Sequence, residues 1–121
     1  MDKAPKTISL LEHIIKWCDE ITEAHDYFGD NFEVFKDNIH YFKSVTMSLL
    51  QIGELVNHLP SHFTEKYSNV AWRKIIGLRN IIVHGYGILE TKTIWESSHE
   101  HTIELQKQCN EIISEIQKET K

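Results

Sequence analysis

At 121 residues the chain is long enough for one domain and too short for two ordinary ones. Its 40 % apolar and 26 % charged residues suit a soluble globular protein and exclude a disordered chain, while no run nears the ~20 apolar residues of a membrane helix. A formal charge of −5, from 18 acidic and 13 basic side chains, excludes a generally basic nucleic-acid binder, so any phosphate contact must use a local positive site.

Only 2 Pro and 5 Gly interrupt the chain, which favours long helices over many short strands. Ser9-Leu-Leu-Glu12 reads as a capping box. Apolar residues follow with helical spacing at Leu10, Leu11, Ile14, Ile15, Trp17, Cys18 and Ile21, so a first helix is expected to about His25. Gly29-Asp30-Asn31 breaks the pattern, and Phe32, Val34 and Phe35 suggest a short helical turn. Phe42, Val45, Leu49, Ile52, Val56 and Leu59 alternate steps of three and four, the mark of one buried stripe, and Pro60 ends it. Between Ser61 and Val70, Phe63 and Tyr67 are the expected anchors. A further helix spans about Ala71 to His84, with Gly85 expected as a left-handed terminal residue. The last helix runs from near Thr91 to about Gln117 on a stripe of Ile94, Ser98, Leu105, Cys109, Ile112 and Ile116, with Trp95, Ile103 and Ile113 beside it; the tail Lys-Glu-Thr-Lys is expected to fray. Each helix has one apolar face. Burying those faces together predicts a single all-α domain over 1–121, an antiparallel bundle of four or five helices.

Cys18 and Cys109 both fall at apolar helical positions and read as buried free thiols rather than a disulfide framework. The N-terminal residues show no signal-peptide pattern, so a reducing cytoplasm is the expected location.

The unusual polar residues concentrate in Arg79-Asn-Ile-Ile-Val-His84-Gly-Tyr86. Eleven of the basic residues are Lys, and Arg occurs only at Arg73 and Arg79, so a guanidinium here is informative. Asn80 and His84 are four apart and share a helix face, so the Asn80 amide can orient the imidazole. Arg79 and His84 are five apart, roughly 140° around an ideal helix, yet their heads can converge if the helix unwinds at Gly85. Such a pair suits RNA cleavage by the ribose 2′-hydroxyl: His84 moves a proton and Arg79 steadies charge on the phosphoryl oxygens, with no metal or cofactor required. From spacing alone, an Arg and a His so placed are as a rule structural.

Other constellations are incomplete. Glu96-Ser-Ser-His99 lacks the second half of a di-iron motif and reads as a solvated face. Asp37 and His40 lack converging partners, His58 and His62 are separated by Pro60, and His99 and His101 face different ways. No zinc motif and no glycine-rich phosphate loop occurs, so no metal site is expected.

The segment AWRKIIGLRNIIVHGYGILETKTIW (71–95) resembles the signature region of HEPN domains of the HepT-like toxin family. Arg79, His84 and Tyr86 match that family's Arg-x4-His-x-Tyr motif position for position, and Asn80 directly after the Arg is typical. Ile52-Gly53-Glu54 resembles its Ile-Gly-Glu run, while Glu90 departs from the Asp often found there. The resemblance implies a HEPN-like homodimer with two motifs meeting across the interface, Arg79 and His84 as the catalytic pair of a ribonuclease toxin, and RNA rather than DNA as substrate. It also implies a minimal nucleotidyltransferase as antitoxin, which silences some members by transferring AMP to the motif Tyr, here Tyr86. A Tyr just past a helix end serves equally well as a half-buried packing residue. Glu54 is a candidate partner for a motif cation or is otherwise solvated. The alternative to an enzyme is a non-catalytic HEPN partner that docks a nucleotidyltransferase.

Overall fold

The computed structural model describes residues 4–119. Helix α1 (Ala4–Phe28) starts well before Ser9, so the expected capping box lies inside it. The reason is burial: Thr7, Leu11, Ile14, Cys18, Ile21 and His25 form one buried stripe that already begins at a polar residue. Pro5 is compatible with this start, because amides of the first turn have no helical partner to lose. After Phe28 the amides of Gly29 and Asp30 both donate to the His25 carbonyl, at 2.9 and 2.7 Å. Gly29 (φ 96°) and Asp30 (φ 49°) are both left-handed and reverse the chain.

Two asparagines restart the helices. The Asn31 side chain accepts from the amides of Glu33 and Val34 and opens α2 (Phe32–Asp37). Asn38 accepts from His40 and Tyr41 and opens α3 (Ile39–Asn57). The expected stripe of α3 is buried, with Phe42 half-buried, and Tyr41 joins it at 0 % exposure. Pro60 leads into the short α4 (Ser61–Lys66). Phe63 and Tyr67 anchor this segment as expected. Their rings pack at 4.9 Å, and the Trp72 indole donates to the Tyr67 carbonyl at 3.0 Å.

Helix α5 (Trp72–Gly85) does not end on a left-handed Gly85, whose φ is −137°. The chain instead tightens into a 3-10 turn, Tyr86–Ile88, where the Leu89 amide donates to the Tyr86 carbonyl. Helix α6 (Thr91–Glu119) buries Ile94, Ser98, Leu105, Cys109 and Ile112 as predicted; Thr102, not expected, completes the stripe, Ile116 is half-buried and Ile103 is exposed. It continues through two residues of the tail expected to fray, and Thr120 and Lys121 lie outside the described residues.

The result is an all-α bundle of four long and two short helices, with no strand among the described residues. Helix α3 is central: α1 packs on it, α6 closes over α1, and α5 lies along α3. His25 meets Ser98 near one end of the α1–α6 pair, and Asp19 meets Gln106 further along, so these helices run antiparallel. Glu54 meets Arg79 and Lys43 shares a groove with Tyr86, so α3 and α5 are antiparallel too. No helix of the described residues is long and apolar enough to cross a membrane.

The α3–α5 contact is tightest at Gly53. A Cβ there would lie 2.3 Å from Arg79 Cβ, 2.9 Å from its Cγ and 3.4 Å from its Cα. These atoms lie at or next to the α5 backbone, so they cannot swing aside. Gly53→Ala is expected to lower stability by about 1–3 kcal/mol, the usual cost of overpacking, read as a lower urea midpoint. The thiols give a second check. Burial pushes both Cys18 and Cys109 up to about 12. Iodoacetamide at pH 8 is expected to leave both unmodified in the native protein and to alkylate both in urea.

Candidate functional site

Arg79 leaves α5 where Gly53 brings the two helices together, and Glu54 is the next residue on α3. The Arg79 Nε–H donates to Glu54 Oε1, and Nη1 donates to Asn80 Oδ1 at 2.9 Å. Both members of the ion pair are partly exposed, with 25 % of the Arg79 side chain and 38 % of the Glu54 side chain open to solvent. Two directed bonds fix the plane of the guanidinium and leave its other N–H donors for a ligand. Of the two readings of Glu54, the structure selects the partner of the motif cation. Ile52-Gly53-Glu54 thus has three separate tasks: a core side chain, a close helix approach and a counter-charge.

Asn80 does not orient His84. Its side-chain oxygen accepts from Arg79, and no hydrogen bond joins it to the imidazole among the described residues. The shared helix face is real, but the adjacent guanidinium is the stronger donor. His84 is exposed and lies in an open hollow of about 460 Å³ with Ile81, Ile88, Leu89 and Glu90. Tyr86, 46 % exposed, lines a different groove of about 370 Å³ between α3 and α5, with Lys43, Met47, Leu50 and Val83. Its ring lies 6.3 Å from that of Phe42. Arg79 and Glu54 thus pair across the α3–α5 contact, with Asn80 bonded to the guanidinium, while His84 lines the hollow at the corner with α6.

A second polar cluster escaped the sequence reading. His99 is not on a solvated face: its Nε2 lies 2.7 Å from Asp30 Oδ1, and its Nδ1 lies 3.0 Å from the Trp95 carbonyl. Its ring stacks on that of buried His25 at 4.1 Å. His25 Nδ1 is bonded to the Tyr41 hydroxyl and Nε2 to Ser98 Oγ. Burial above all, and then the neighbouring His99, hold the His25 imidazole below its ordinary range, opposed by Asp30 and Asp26. A signal for part of this was present, since His25 and Ser98 both fall on buried stripes. The ligand-type atoms of His25, Asp30 and His99 lie within 4.8 Å of one another.

Comparison with known proteins bears on the first site. The family described as "Ribonuclease HepT-like" matches residues 17–112. "Putative RNase TTE0752" of Caldanaerobacter subterraneus subsp. tengcongensis is 37 % identical over 103 residues, covering 85 % of this chain and 90 % of that protein. "Putative RNase MJ1216" of Methanocaldococcus jannaschii is 28 % identical over 111 residues, covering 90 % and 88 %. From the same organism, "Putative RNase MJ0125" is 28 % identical over 112 residues, covering 90 % and 92 %. No solved structure gives a significant match. The family match spans most of the bundle and includes the whole Arg79–Tyr86 motif, and on that ground the chain belongs to the HepT-like ribonuclease family.

Proposed function

We propose that the protein is the toxin of a toxin–antitoxin pair, a cytoplasmic, metal-independent endoribonuclease that acts through Arg79 and His84. The observation that carries this reading is the pre-set guanidinium: Arg79 is clamped by Glu54 and Asn80 on a helix that also presents an exposed imidazole. In the proposed reaction His84 takes the proton of a ribose 2′-hydroxyl, whose oxygen attacks the adjacent phosphorus. Arg79 stabilises the charge on the phosphoryl oxygens. The bond to the 5′-oxygen breaks, a proton from an imidazolium or from water reaches that oxygen, and a 2′,3′-cyclic phosphate and a 5′-hydroxyl result.

The reading includes a homodimer in which the two motifs meet. Exposed Ile81 (53 %) and Ile88 (87 %) beside His84 give that face an apolar surface suited to a second copy. Tyr86 stands in an exposed turn between two glycines, accessible to an antitoxin nucleotidyltransferase that transfers AMP to its hydroxyl. The added phosphate would repel RNA.

A second reading is favoured by one observation. Glu54 already neutralises Arg79 in a chain of net charge −5, which suits a non-catalytic partner of a nucleotidyltransferase. The two readings separate on purified RNA. Wild type is expected to cleave it, and Arg79→Ala and His84→Ala each to lose on the order of 10²-fold or more in rate. A substrate with 2′-deoxyribose at the cut site should resist. Equal and negligible cleavage by wild type and His84→Ala would leave the binding partner. For assembly, light scattering at micromolar concentration is expected to give twice the chain mass, and a strict monomer would overturn the shared site.

A further inference from the structure

We propose that the corner joining α1, α2 and α6 is a site for a divalent transition-metal ion, with His25, Asp30 and His99 as its protein ligands. Ser98 Oγ donates to the Trp95 carbonyl at 2.7 Å, so it accepts from His25 Nε2–H at 3.0 Å. That fixes the His25 tautomer and leaves a lone pair on Nδ1, where the Tyr41 hydroxyl now donates. His99 Nδ1–H donates to the Trp95 carbonyl at 3.0 Å, which leaves a lone pair on Nε2. Each ring is thus held by its far nitrogen, the arrangement by which proteins orient metal-binding histidines.

One carboxylate oxygen lies near both nitrogens. Asp30 Oδ1 lies 2.7 Å from His99 Nε2 and 3.6 Å from His25 Nδ1. A proton on His99 Nε2 joins it to the carboxylate, and a metal ion would take the place of that proton. The backbone serves the same end: Asp30 is left-handed, and its amide is tied to the carbonyl of His25 itself. An ion has a way in, because 54 % of the Asp30 side chain and 32 % of the His99 side chain are exposed while His25 is buried.

Two imidazoles and one carboxylate select zinc, cobalt or nickel over magnesium or calcium. Three protein ligands leave further positions for water. The rings now stack 27° from parallel, so ligation opens the stack. The half-exposed His99 makes that turn, and the Tyr41 hydroxyl gives way. The bound ion would clasp the end of α1, the following corner and α6, independently of Arg79 and His84.

The test uses untagged full-length protein dialysed against EDTA. Zn²⁺ is titrated by calorimetry, and Co²⁺ by its visible absorption, into wild type, Asp30→Asn and His99→Gln. Asn tolerates the left-handed backbone, so Asp30→Asn removes the charge and keeps the corner. Wild type is expected to bind one equivalent and to melt at a higher temperature with metal. Each variant is expected to bind more than about tenfold more weakly with its helical circular dichroism unchanged. No saturable binding by folded wild type would overturn the site, as would wild-type affinity in both variants, which would place the ion among the other histidines. If the variants do not fold, the test passes to wild type alone: the ring ¹⁵N signals of His25 and His99 must shift with one equivalent of Zn²⁺, and unshifted signals reject the proposal.

Discussion

One contact sets the geometry on which the rest depends: α3 and α5 meet at Gly53, where the stem of Arg79 packs directly on the glycine. Helices that meet over a glycine approach more closely than helices held apart by ordinary side chains, and their register is fixed at that point. Arg79 sits on the contact, so the origin of its side chain is fixed by backbone packing. Glu54 then stands where the guanidinium emerges. A long, flexible cation is thereby restricted before any ligand arrives, which lowers the entropy lost on binding.

The ion pair also sets the electrostatics of the motif. A guanidinium with a carboxylate partner contributes little net field, and the chain as a whole is acidic. A phosphate reaching Arg79 must therefore share it with Glu54 or displace that carboxylate. Binding of this kind depends on close, directed hydrogen bonds more than on long-range attraction, and it selects for a ligand whose other contacts are also satisfied. The exposed apolar residues that surround the motif, Ile81, Val83 and Ile88, can supply such contacts once covered.

Much of the fold was legible because its signal is periodic. The stripes of α3 and α6 were readable residue by residue, as were the Phe63 and Tyr67 anchors and the thiols. Local rules failed where a tertiary partner outweighed them. The start of α1 was hidden because the buried stripe begins with Thr7, a polar residue. Gly85 had the composition of a left-handed terminus, but the 3-10 turn satisfies the helix end without one. Asn80 had one neighbour at helical spacing and another next to it in sequence, and the charged one won. The Asp30–His99 contact joins residues 69 apart in the chain, a separation for which no local pattern exists. For the motif, the residue types were readable, but the hollow that His84 shares with Leu89, Glu90 and Thr93 was not.

The antiparallel closure of α6 over α1 has a consequence for synthesis. Helices α1, α3 and α5 meet neighbours that are near in sequence, so their pairings can form as the chain emerges. The side of α1 that faces α6 cannot be covered until α6 leaves the ribosome. Cys18, wholly buried in the finished fold and close to Cys109, therefore stays uncovered on that side until α6 has been made. Its oxidation or misassociation is a hazard of birth rather than of the mature protein.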